Sequence, residues 1–117
     1  MSVALMITRP QPGQPQPDRR LIPVAGEKRY WNWWEPVIEQ EGYQWLPGMG
    51  VGIDIDAENL PIVLAELRQL QAAVPRYYEP GTEQYQQMTE RLAAVLEELE
   101  VVDAAELISG GLDLFLG

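Results

Sequence analysis

The sequence contains neither cysteine nor histidine among its 117 residues. Without cysteine there is no disulfide framework and no thiol chemistry, which agrees with a reducing cytoplasm. Without histidine the commonest general base and metal ligand is missing, which excludes Ser–His and Cys–His pairs and ordinary zinc sites. An enzyme would have to use carboxylates, tyrosine, arginine or the single lysine, Lys28. We therefore predict that the protein is not an enzyme and that it has no metal site and no cofactor.

Long apolar runs are also absent. No stretch approaches the ~20 apolar residues that a membrane-spanning helix requires. The first ten residues, MSVALMITRP, lack the basic stretch, the apolar core and the cleavage site of a secretory signal. We expect a cytoplasmic protein.

Basic residues are scarce. The chain has 18 acidic and 8 basic residues and a formal net charge of -10. Such a charge repels nucleic acid and anionic membranes, so neither is predicted as a partner. The same charge would attract a basic protein and accelerate its encounter. Alternatively, the excess carboxylates serve only solubility.

The length fits a single domain, residues 1 to 117. The pattern of apolar residues predicts an α+β fold, with three helices packed on one face of a small three- to four-stranded, mostly antiparallel sheet. The predicted strands are residues 3 to 8, 21 to 24, 53 to 56 and 112 to 116, and the predicted helices are residues 27 to 42, 60 to 74 and 83 to 100.

The first two predicted strands flank a proline-rich segment, residues 9 to 20, with the sequence RPQPGQPQPDRR. This composition predicts a long loop at the tip of a hairpin. Pro23 in the second strand predicts an edge position, because proline cannot donate to a ladder. Arg9, Arg19 and Arg20 make this loop basic on an acidic body. The loop could also be a ligand for an aromatic-lined groove, although a solvated connection is the simpler interpretation.

All four tryptophans lie between residues 29 and 48, in RYWNWWEPVIEQEGYQWLPG. Trp31, Trp34 and Ile38 follow helical spacing, which predicts that Trp31 and Trp34 belong to the core. The aromatic cluster is too wide for one buried stripe, so we expect Trp33 or Tyr30 to be partly exposed. Pro36 predicts a kink in this helix, or a regular helix that begins only near Trp33 with Asn32 as its cap.

Acidic residues lie in two segments, Glu35 and Glu39 in the tryptophan-rich helix and Asp54, Asp56 and Glu58 farther along the chain. Together with aromatic residues they form a candidate partner-binding surface. Asp54, Asp56 and Glu58 alternate where the third predicted strand meets the next helix, but they lack the glycine and distal glutamate of a calcium loop. The preceding GMGVG lacks the lysine and hydroxyl residue of a phosphate-binding loop. The candidate partner-binding residues are Tyr30, Trp33, Glu35, Glu39, Asp54, Asp56 and Glu58.

The pattern W-x-x-x-x-P-x-x-E-x-x-G spans Trp31, Pro36, Glu39 and Gly42, and GVGIDIDAENLPIVLAELRQL follows it. Residues 30 to 74 thereby resemble small acidic immunity proteins of bacterial polymorphic and contact-dependent toxin systems. The resemblance implies a cytoplasmic protein that binds a cognate toxin and blocks its active site.

Two alternatives remain open. The chain could be a structural or regulatory homodimer, with the tryptophan cluster or the leucine-lined helices at the self-interface. It could also be a carboxylate-dependent hydrolase or a divalent-metal protein that uses Asp54 and Asp56.

Overall fold

The computed structural model describes residues 2 to 117. Within these residues, four antiparallel strands form one sheet in the order β2-β1-β4-β3, and helices pack against one of its faces. The predicted α+β fold is therefore confirmed. The strands are β1 (Val3–Arg9), β2 (Asp18–Ala25), β3 (Ile53–Ile55) and β4 (Asp113–Leu116), and the helices are α1 (Glu27–Arg29), α2 (Glu35–Glu41), α3 (Leu60–Ala73), α4 (Glu83–Glu100) and α5 (Ala104–Ser109), with a π-helical turn at Tyr30–Trp34 and 3₁₀ turns at Leu46–Gly50 and Val74–Arg76.

The predicted hairpin is present, and its strands are longer than expected. β1 continues to Arg9 and β2 already begins at Asp18, so the proline-rich loop is confined to residues 10 to 17. β2 is an edge strand, which accommodates Pro23 as the sequence predicts. The C-terminal strand β4 pairs with β1 on one side and with β3 on the other. The two ends of the chain thus meet in the middle of the sheet.

The two faces of the sheet differ in burial because side chains alternate along each strand. The inner face contributes fully buried aliphatic residues to a single core that it shares with α2, α3 and α4. The side chains of the outer face are half-buried or exposed, and Leu107 of α5 lies at the margin of this face. The inner-face residues are Val3, Leu5, Ile7, Val24, Ile53, Ile55, Leu114 and Leu116.

The tryptophan-rich helix differs from its prediction at one point. It begins at Glu27 and ends at the left-handed residue Gly42, as expected. In its middle, however, the Glu35 backbone N–H donates to the Tyr30 carbonyl, five residues earlier, which widens the turn into a π-helix. Pro36 explains this, because its ring would clash with the carbonyl four residues before it in a regular α-helix.

The wide turn changes which aromatic residues face the core. Tyr30, Trp34 and Ile38 are spaced four residues apart and are all buried, whereas Trp31 is 48% exposed. The prediction that Trp31 is a core residue is therefore wrong, since it assumed regular α-helical spacing. Trp34 is in the core as predicted, and of Trp33 and Tyr30 it is Trp33 that is partly exposed.

Two buried polar side chains connect the layers. Gln87 of α4 accepts a hydrogen bond from Trp34 Nε1 at 2.7 Å and donates one to the Val24 carbonyl at 2.7 Å. Its amide thereby joins the π-helical turn to strand β2. Every polar group in this bridge has a partner, so its burial carries no desolvation penalty from an unpaired donor.

Glu66 of α3 is only 7% exposed and acts as a second internal connector. Its carboxylate accepts backbone hydrogen bonds from Gln44, Trp45 and Leu46 at 2.9 to 3.0 Å. Three donors compensate its buried charge and hold the start of the 3₁₀ turn that leads into β3.

Local caps set the remaining helix boundaries. Thr82 Oγ1 accepts from the Tyr85 N–H and begins α4 as predicted. Asp56 Oδ1 accepts from the Glu58 and Asn59 N–H groups just before α3. The segment after α4 forms the short helix α5 with Asp103 as its cap. In the described part of the chain, no helix has the length and apolar character needed to cross a membrane.

Candidate protein-binding surface

Trp31 is a large aromatic side chain held at the surface. Its ring meets Tyr30 edge to face, with the ring centroids 5.2 Å apart and the planes at 88°. Both rings also lie against Gly50, where an added Cβ would be 3.1 Å from each of them. The indole is therefore supported by buried neighbours while about half of it remains in contact with solvent.

Glu35 and Glu39 follow Trp31 on the same helical segment and form a pair of neighbouring carboxyl groups. A hydrogen bond with Glu39, together with partial desolvation and the Glu39 charge, raises the pKa of Glu35 above its usual range. This shift reports that the two carboxylates are unfavourable neighbours when both are ionised. A cation placed between them would relieve the repulsion.

A shallow depression of about 290 Å³ lies beside this pair. Ile38 and Tyr30 provide apolar surface, Pro47 closes one side, and Glu35 and Glu39 line the rest. This combination suits the side chain of lysine or arginine, whose alkyl stem packs on apolar atoms while its charged end pairs with carboxylates. We name the surface formed by Trp31, Glu35, Glu39 and Pro47 the Trp31 patch.

The charge of the Trp31 patch is not neutralised from within the described chain. Among residues 2 to 117, neither Glu35 nor Glu39 takes part in a salt bridge, and the arginines that do form salt bridges are committed elsewhere. The patch therefore presents net negative charge, and the exposed Trp31 precedes Glu35 by four residues, about one helical turn, on the same segment. The observed pairs are Arg9–Glu106, Arg20–Glu98, Arg29–Glu83, Arg68–Glu100 and Arg76–Glu41.

Tyr30 belongs to the supporting layer of this surface. It is 2% exposed, and its burial raises the pKa of the phenol to about 12. As a candidate partner-binding residue it can contribute only the part of its ring that lines the depression. Its main role is to hold Trp31 and the 3₁₀ turn in place.

Trp33, a second candidate, points to a different part of the surface. The Arg29 guanidinium lies 5.2 Å from the centre of its ring, in a cation–π arrangement. Its carbonyl accepts a hydrogen bond from the Tyr78 hydroxyl at 2.8 Å. Trp33 is thus already engaged by a cation of its own chain.

Asp54, Asp56 and Glu58 lie apart from the Trp31 patch, between β3 and α3. Asp56 is occupied by the two backbone N–H groups that it accepts, while Asp54 projects from the outer face of the sheet and Glu58 is exposed. In the described residues, no group of three or more acidic side chains is arranged to hold a metal ion. The seven sequence-derived candidates are therefore divided among three places.

The sequence contained signals for the residues that were missed. Pro36 in the interior of a helix is a reason to expect a widened turn, and that turn exposes Trp31. Glu66 falls among the buried positions of α3, between Val63 and Leu70, where a charged residue must find partners.

The fold and the surface together define a small α+β protein with an acidic aromatic patch on its tryptophan-rich helix. Comparisons with protein-family models, with curated proteins and with solved structures found no match.

Proposed function

We propose that this protein is a non-catalytic interaction module that binds a basic partner protein through the Trp31 patch. The observation that carries the proposal is the half-exposed Trp31 beside two carboxylates without a salt-bridge partner in residues 2 to 117. Exposed tryptophans supported by packed neighbours have the chemistry of interface hot spots.

Charge supports the choice of partner. The net charge of -10 steers a basic protein toward the molecule. At contact, a lysine or arginine side chain would occupy the depression between Glu35 and Glu39, and an apolar surface of the partner would cover Trp31. Steering by the whole charge and recognition by the patch are separate steps, and they respond differently to mutation.

The kind of partner follows from the resemblance in residues 30 to 74. We propose a cytoplasmic immunity protein that neutralises a cognate toxin domain. Many toxin domains are basic because their substrates are nucleic acids or nucleotides, so an acidic inhibitor can occupy such an active site.

A titration with an arginine-containing basic peptide, followed by calorimetry, tests the patch. We expect the double variant Glu35→Gln/Glu39→Gln and the single variant Trp31→Ala each to weaken binding about tenfold or more. The matched control Glu79→Gln/Glu97→Gln removes two exposed carboxylates elsewhere and should weaken binding much less. Equal losses in the patch variants and the control would show that binding is only diffuse electrostatic attraction, which overturns the proposed site.

Growth rescue tests the immunity role separately. The gene next to this one should encode a toxic domain, and co-expression of the wild-type protein should restore growth. The Glu35→Gln/Glu39→Gln variant should fail to do so, while the Glu79→Gln/Glu97→Gln control succeeds. A neighbouring gene without toxicity would overturn the immunity role but not the basic-partner site.

A further inference from the structure

The outer face of the sheet carries an apolar row across β2, β1 and β4, which ends at Asp54 on β3. Met6 of β1 is paired with Leu21 of β2 on one side and with Phe115 of β4 on the other, and Phe115 is paired with Asp54 of β3. Leu21 is 58% exposed, and Met6 and Phe115 are half-buried. Phe115 is fixed in place because its ring lies on Gly52, where φ is 127° and a Cβ would overlap the ring.

The same face has charges of opposite sign at its two sides. Thr8 of β1 is paired with Arg19 on β2 and with Asp113 on β4. Arg19, Asp113 and Asp54 are exposed, and none of them forms a salt bridge within residues 2 to 117. A basic β2 side and an acidic β3–β4 side therefore flank the apolar row.

The two sides also differ in shape. A groove of about 450 Å³ crosses the β3–β4 side, with Met6 and Phe115 among its lining residues, Asp54 and Asp113 beside them, and Leu107 of α5 at its margin. On the β2 side Leu21 stands out into solvent instead.

We infer that this outer face is a self-interface, through which two copies of the chain form a two-fold symmetric dimer. A two-fold axis parallel to the strands, between β1 and β4, places β2 of each copy over β3 of the other and β1 over β4. Arg19 of each copy then faces the acidic side of the other, and the protruding Leu21 enters the groove. The Met6 side chains lie over the partner's Phe115, a favourable sulfur–aromatic contact.

The complementarity singles out a second copy as the occupant. The same face carries a projecting basic side on β2 and a concave acidic side on β3 and β4. The rotation places the basic side of each copy over the acidic side of the other. A two-fold axis perpendicular to the strands would instead place β2 over β2 and the acidic β3–β4 side over itself. The helices offer no comparable self-interface, because the leucine stripes of α3 and α4 are buried in the core. The inference is independent of the Trp31 patch, which shares no residue with this face.

Analytical ultracentrifugation of the full chain over a range of concentrations tests the inference. We expect a concentration-dependent dimer, and at least a tenfold higher dissociation constant for Arg19→Asp and for Asp54→Lys/Asp113→Lys. The control Lys28→Glu, an exposed charge reversal outside the face, should leave dimerisation unchanged. Circular dichroism establishes that each variant is folded.

Mixing the two interface variants is the decisive step. Arg19→Asp has two acidic sides and Asp54→Lys/Asp113→Lys has two basic sides, so each opposes its own copy and complements the other. An equimolar mixture should form a heterodimer although each variant alone is monomeric. A wild-type chain that stays monomeric at about 1 mM, or a dimer that both variants leave intact, would overturn the inference.

Discussion

Trp34 and Trp31 belong to the same π-helical turn, yet they have opposite environments. Trp34 is 1% exposed and its indole N–H is paired with Gln87, whereas Trp31 is 48% exposed and rests on Tyr30 and Gly50. The difference shows how a single widened turn can direct one indole into the core and its neighbour to the surface. Stability should depend mainly on the first, and binding on the second.

The acidic residues show the same contrast. Glu66 is buried and its charge is compensated by three backbone donors. Glu35 and Glu39 lie at the surface, where they meet each other and form no salt bridge within residues 2 to 117. A carboxylate that is fully paired supports the fold, and a carboxylate pair without a cation is available for a ligand.

The largest expected effect is that of Trp34→Ala. The substitution removes a buried indole and leaves Gln87 without its donor, so we expect a loss of about 3–5 kcal/mol in the free energy of unfolding. Urea denaturation measures it. Trp34→Phe, which keeps a ring but not the N–H, should lose clearly less; a loss below about 1 kcal/mol for Trp34→Ala would contradict the assignment of this residue to the core.

Glu66→Leu should have the next largest effect. It leaves the N–H groups of Trp45 and Leu46 buried without an acceptor, and each such group costs about 1–3 kcal/mol. The two groups together cost on the order of 2–6 kcal/mol, and burial of the leucine side chain offsets part of this, so we expect a net loss on the order of 2–4 kcal/mol by urea denaturation. The loss should be smaller for Glu66→Gln, whose amide oxygen still accepts. If Glu66→Leu were neutral, the carboxylate would not be holding the 3₁₀ turn.

Trp31→Ala should separate binding from stability. Its edge-to-face contact with Tyr30 is worth about 0.5–1.5 kcal/mol, so the loss of stability should stay within that range. The same variant should show the large loss of partner binding described above. A stability loss equal to that of Trp34→Ala would remove the distinction between the two indoles.

Local chemistry made much of the fold predictable. The hairpin, the edge position of Pro23, the end of the tryptophan-rich helix at Gly42 and the start of α4 after Thr82 all follow from neighbouring residues. The strand order was not predictable, because it depends on β4 pairing with a strand more than a hundred positions earlier in the chain.

The candidate surface was predictable only in part. Glu35 and Glu39 were identified from their spacing on a helix, but the exposure of Trp31 depends on how the turn at Pro36 relaxes. Likewise, no local sequence pattern predicts that the Glu66 carboxylate accepts hydrogen bonds from the backbone N–H groups of Gln44 and Leu46, some twenty residues earlier.

The smallest expected effect is that of Glu35→Gln, and its sign depends on pH. The hydrogen bond with Glu39 raises the pKa of Glu35 in the folded chain above the unfolded value of 4.5. A raised folded pKa means that this pair favours the folded state at pH values below 4.5, and that this contribution is lost as the pH rises through the folded pKa.

At neutral pH the two carboxylates repel, and Glu35→Gln should stabilise the protein by about 0.2–0.5 kcal/mol. This gain should disappear at about pH 3.5, where Glu35 of the wild-type protein is protonated. Urea denaturation of both proteins at the two pH values measures the difference, with Glu97→Gln as the control for an exposed carboxylate on α4. Because the same substitution should weaken binding of a basic peptide, a variant that is more stable and binds less well would be the clearest sign that the Glu35–Glu39 pair serves the partner and not the fold.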